Sequence, residues 1–147
     1  MRRHIQLSLL AAIGLSLFVS LAVAATDSGV RIVVNPQVKG TQIPRAALIQ
    51  IFLKQAPRWA DGSPVLPVDQ SVKSPVRSIF SNRLLGQPLM DVQIYWQRKM
   101  SVGMTPPPVR TSDEDVLGYV AANPGAIGYV STGTPLPESV RAIDISE

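Results

Sequence analysis

The chain has 147 residues, a formal net charge of +4, no cysteine and a single histidine, His4. Lacking cysteine, it can form no disulfide, thiolate nucleophile, cysteine metal site or lipoprotein anchor. Its basic residues never run longer than two, so no nucleic-acid partner is expected.

Residues 1–24 read as a secretory signal peptide. Arg2 and Arg3 supply the positive start, Ile5 to Val23 carry no charge, and Ala22-Val23-Ala24 gives the small-residue pattern of a cleavage site. Cleavage would remove His4 and two of the 14 basic residues, leaving a domain at 25–147 with a net charge near +2. That domain has no imidazole for base catalysis or metal binding. With neither His nor Cys, no nucleophile–base pair assembles, and the chain is expected to be no enzyme and to need no cofactor. Its expected place is the periplasm, with no stable membrane span after cleavage.

Val30-Arg31-Ile32-Val33-Val34, ended by Asn35-Pro36, predicts the first strand. Pro44 suits the first turn of a helix running to about Lys54, with Ala47, Leu48, Ile51 and Phe52 on one face and Lys54 complementing the dipole. Asp61-Gly62 marks a tight turn. Val65 to Val68, broken by Pro67, reads as an edge or irregular strand. Ser74-Pro75 is an N-cap followed by proline at the first helical position, and Val76, Ile79, Phe80 and Leu84 form that helix's buried stripe up to Gly86. Pro88 opens a third helix with Leu89, Val92, Trp96 and Met100 inward. Pro106 to Pro108 hold an extended segment. Thr111-Ser112-Asp113-Glu114 offers a capping box for a fourth helix that buries Val116, Leu117 and Val120. Asp113, Glu114 and Asp115 suit the positive end of that helix better than a metal. Ala126 to Val130 is a buried strand, and Val140 to Ile145 a last one. The alternation predicts an α/β layered domain.

Pro44 to Leu53, with Arg58-Trp59-Ala60-Asp61-Gly62 after it, resembles a segment of the phosphate-type periplasmic substrate-binding proteins. Asn123-Pro124-Gly125-Ala126-Ile127-Gly128-Tyr129-Val130 resembles their helix-to-strand signature. The likeness covers about residues 30 to 131. It implies a single periplasmic-binding-protein-like lobe, a mixed β-sheet flanked by helices on both faces. A full member of that family has two lobes that close on the ligand, and this chain is long enough for one.

In that family a loop of the form R-S-D-G-S-G-T holds phosphate at a helix start, where unpaired N–H groups and the dipole favour an anion. It matches Gln70 to Val76 here. Ser71 and Ser74 keep their types, while Gln70 replaces the arginine, Val72 the aspartate, Pro75 a glycine and Val76 the threonine. Ser71, Lys73, Ser74 and Arg77 are therefore the candidate ligands for an inorganic oxyanion such as phosphate, Lys73 and Arg77 replacing the lost charge. The same residues also allow a second reading. In it Ser74 only caps a helix, Lys73 and Arg77 lie on its solvated face, and the lobe is a ligand-free adaptor for a membrane transporter or sensor protein.

Overall fold

A computed structural model describes residues 29–147. The segment read as a signal peptide lies outside the described residues. A four-stranded mixed sheet stands at the centre, built from β1 (Val30–Val34), β3 (Leu66–Pro67), β6 (Ala126–Ser131) and β7 (Arg141–Ala142) in the order β3-β6-β1-β7. The central strands β1 and β6 run antiparallel, Ile32 opposite Tyr129 and Val33 opposite Gly128. β3 joins the edge parallel to β6. Two short parallel pairs flank the sheet: β2 (Gln42–Pro44) with β8 (Asp144–Ser146), and β4 (Asp69–Gln70) with β5 (Val109–Arg110). The helices are α1 (Arg45–Phe52), α2 (Pro75–Ile79), α3 (Leu89–Met100) and α4 (Asp113–Ala122); α2 continues directly into a π-helical turn, Phe80–Leu85.

The period of two along β1 and β6 decides which residue meets which layer. Val30, Ile32, Val34, Ile127 and Tyr129 pack against Leu48, Ile51 and Phe52 of α1, Val76 of α2, Phe80 and Leu84 of the π turn, and Val92 and Trp96 of α3. Val33, Ala126 and Val130 face the other way, onto Val116, Leu117 and Val120 of α4. Helices thus cover both faces, and the central strands are apolar on both sides as such burial requires.

Two glycines of the helix-to-strand signature have separate duties. Gly125 has φ +85°, and a Cβ there would stand 2.3 Å from the Pro64 carbonyl oxygen. Gly128 lets α4 lie close on the sheet: a Cβ would meet Val116 and Val68 methyl carbons at 2.8 Å. Asn35, buried at the end of β1, donates through Nδ2 to the carbonyls of Val120 (3.0 Å) and Ala121 (3.2 Å), which the end of α4 leaves open.

Four local expectations need correction. Lys54 is not in the last turn of α1. It lies two residues past the helix with φ 54°, and its Nζ donates to the Thr105 carbonyl at 3.0 Å. Met100, expected inward, is 50% exposed at the last position of α3. The fourth helix is capped by Ser112, whose Oγ accepts from the Asp115 N–H at 3.1 Å, so the acceptor sits one residue later than the capping box implies. The last strand is two short ones, β7 on the main sheet and β8 on β2, parted at Ile143.

Candidate functional site

The loop between β4 and α2 begins from a buried polar cluster. Three aromatic rings set its floor. Phe80 stacks on Tyr129 with centroids 3.8 Å apart, and Phe52 meets Phe80 edge-on at 4.7 Å. This stack carries the Tyr129 hydroxyl to the end of β4, where it donates to Asp69 Oδ1 and accepts from the Gln70 N–H at 3.1 Å. Asp69 also faces Arg77, whose Nε lies 2.9 Å from Oδ1. That N–H does not point along the contact, so the pair is ionic more than a directed hydrogen bond. Arg77 Nη1 donates to Ser81 Oγ one turn further on.

Gln70 is 2% exposed. Its Nε2 donates to Asp113 Oδ1 (2.7 Å) and to the Tyr129 carbonyl (3.0 Å), and its Oε1 accepts from Ser74 Oγ (2.9 Å). Asp113 in turn accepts from the Ser131 N–H at 3.0 Å and Thr134 Oγ1 at 2.6 Å. Asp113 is therefore more than a helix-dipole partner: it ties α4, β6 and the end of β4 together.

The two carboxylates respond to their surroundings in opposite ways. Burial pushes Asp69 above the ordinary carboxylate range, although the Arg77 guanidinium and the Tyr129 hydroxyl pull it down. Burial also acts on Asp113, but its hydrogen bonds from Thr134, Gln70 and Ser131 outweigh it and hold Asp113 below that range. The Tyr129 hydroxyl is raised by burial and by the neighbouring Asp69 charge.

The four residues singled out from the sequence fall into two groups. Ser71, Lys73 and Ser74 share one turn, in which the Lys73 N–H donates to Ser71 Oγ at 3.3 Å and the Ser74 N–H to the Ser71 carbonyl at 2.8 Å. Lys73 is exposed and Ser71 half-buried. Arg77 is 3% exposed and points inward to Asp69, not onto a solvated helix face. Ser74 holds the N-cap position of α2, but its hydroxyl reaches back to Gln70 and makes no side-chain cap bond. The sequence alone does not mark Asp69, Gln70, Ser81 and Tyr129 as parts of one cluster. The usable signal was the pairing of a short polar strand with an arginine eight residues on, followed by a serine one helical turn later. A hollow of about 1290 Å³ lies elsewhere, beside β1 and β8, and none of the four residues lines it.

No protein-family model and no curated protein matches the sequence significantly. Solved structures do match. An ABC-type phosphate transport receptor from Vibrio cholerae aligns with 80% of the chain at TM-score 0.63 and 23% identity. A Clostridium perfringens protein assigned as a phosphate ABC transporter substrate-binding protein, with bound phosphate, aligns over 80% at TM-score 0.64 and 16% identity. PstS from Borrelia burgdorferi aligns over 81% at TM-score 0.62 and 15% identity. The aligned part is 46%, 44% and 47% of those chains, respectively, so the chain spans just under half of their length. At these identities the likeness concerns the fold. Residues 29–147 therefore form a mixed α/β unit of the periplasmic-binding-protein-like fold, the fold of these phosphate receptors.

Proposed function

We propose that this chain is an exported, phosphate-type substrate-binding-like lobe that meets an inorganic oxyanion such as phosphate weakly at the Ser71–Ser74 turn. One observation carries the reading: a chain with the fold of phosphate receptors places two serines and an exposed lysine on one turn ahead of α2. Weak binding follows from the same geometry. Asp69 already meets the charge of Arg77, Pro75 offers no N–H, and an open turn leaves the anion largely hydrated. No reaction is assigned to the lobe. Its proposed place is the periplasm, reached through residues 1–24.

Calorimetric titration and thermal unfolding with phosphate and with sulfate test this reading. Phosphate at ten times its Kd stabilises the folded chain by about 1.4 kcal/mol, which raises Tm by about 5 °C. Lys73→Gln abolishes most of that shift. Absence of heat and of any shift at millimolar phosphate and sulfate sinks the proposal.

A specific observation favours the second reading, a ligand-free adaptor for a membrane transporter or sensor protein. The Ser74 hydroxyl is engaged by Gln70 and the Arg77 guanidinium by Asp69 and Ser81, while Val72, between Ser71 and Lys73, is 50% exposed. A photo-crosslinker at position 72 would then trap an integral membrane protein in intact cells, with Tm indifferent to phosphate.

A further inference from the structure

The far end of α3 has a character of its own. Between Asp91 and Asp113 the sequence has no acidic residue, yet it carries Arg98, Lys99 and Arg110. Where α3 ends, two apolar side chains stand in water: Met100 is 50% and Val102 73% exposed. Arg98 and Lys99 precede them in the helix, and Lys54 reaches Thr105, three residues after Val102, from the turn that follows α1, its Nζ on the Thr105 carbonyl at 3.0 Å. Among the described residues, none of Lys54, Arg98 and Lys99 lies within salt-bridge distance of a carboxylate. Lys99 lies over the Tyr95 ring, 5.5 Å from its centroid.

We propose that this helix end is a peripheral docking tip for an anionic lipid surface, with Met100 and Val102 entering the headgroup region and Arg98, Lys99 and Lys54 forming a cationic collar on lipid phosphates. α3 also exposes Met90 (63%) and Ile94 (38%) further from its end, but two features favour lipid at the end itself over a protein groove. Tyrosine, lysine and arginine just above an apolar tip are the side chains that lie stably at a membrane interface. Asp91, the one acid of α3, lies seven residues before Arg98, about 10 Å further from the surface when the helix stands tip-down. Lys54 keeps a left-handed φ of 54° while it makes its contact with Thr105, which fixes the third cation beside the tip. A tip of this size gives reversible binding, driven jointly by charge and by a small apolar area.

The test is co-sedimentation of the chain recovered after export with vesicles of phosphatidylcholine alone or with one third phosphatidylglycerol. Anionic vesicles should reach half-association at least ten-fold lower lipid, and 0.5 M salt should remove that preference. Each collar cation contributes about five-fold, so Arg98→Gln with Lys99→Gln weakens binding about 25-fold. Val102→Ser weakens it several-fold, and Asp91→Asn leaves it unchanged. All these positions are exposed or half-buried, so unaltered Tm and circular dichroism serve as the folding control. Equal binding to both vesicle types, as an apolar segment at residues 5–23 would give, overturns the proposal. So does anionic binding that survives the double variant, or capture of an acidic protein partner through Val102 without vesicle binding.

Discussion

Two arginine–carboxylate pairs in this fold have the same chemistry and opposite surroundings. Arg77 and Asp69 are 4% and 14% exposed at their side chains, 2.9 Å apart and enclosed by Tyr129, Gln70 and Ser81. Arg45 and Glu147 are 34% and 80% exposed, with a two-pronged contact at 2.7 and 3.1 Å. The exposed pair has the better hydrogen-bond geometry, yet water competes for every part of it. The inner pair has a misaligned N–H, yet neither partner can leave without stranding the other. Burial, more than alignment, decides what each pair is worth.

The largest expected effect breaks the inner pair. Asp69→Ala strands the Arg77 charge and removes the acceptor of Tyr129, and should lower unfolding free energy by about 3–5 kcal/mol in urea titration. A loss below about 1 kcal/mol would show that water reaches Arg77 and that the cluster is not a closed unit. Replacing Asp69 by Leu together with Arg77 by Met should recover most of that loss, since the pair's net worth against an apolar substitute is small.

Asp113→Asn, which weakens three accepted hydrogen bonds, should cost about 2 kcal/mol near neutral pH. The pH dependence carries a sign. Because Asp113 is held below its ordinary value of 3.8 in the folded chain, its contribution is present above about pH 4 and fades as pH falls through the folded value. The difference between wild type and variant should therefore shrink on acidification. Asp69 works in the other sense: raised by burial, it favours the folded state at low pH and loses that contribution as pH rises. A difference that grows as pH falls would contradict the assignment of Asp113. At the small end, Glu147→Gln should leave the urea midpoint unchanged within error, with or without 0.5 M salt.

Much of the layer pattern was legible in the sequence because it rests on periodicity. The apolar run at 30–34, the stripe of α1, and Ala126 to Val130 each lead to the observed element, and the signature glycines lie where backbone and helix approach closely. The turning of the Ser74 hydroxyl away from its cap, the burial of Arg77 and the burial of Gln70 were not legible, for a shared reason. Ser74 turns to Gln70 and Arg77 to Asp69, and those two are themselves held by partners distant in sequence: Tyr129 for both, and Asp113 for Gln70. Local chemistry offered Ser74 a helix to cap and Gln70 a polar surface, and the tertiary cluster took both. Met100 was misplaced because a stripe at helical spacing says nothing about where the covering layer stops.

The π-helical turn at Phe80–Leu85 has a consequence for what the chain can lose. Such a turn holds one residue more than an α turn. Here the surplus residue allows both Leu84 and Leu85 to be buried before Gly86, with φ 66°, reverses the chain. Deleting one residue would restore regular helix but rotate everything after it by about 100°. The length of this segment is thus part of its fit, and a shorter helix of better local geometry would aim α3 and its tip in another direction.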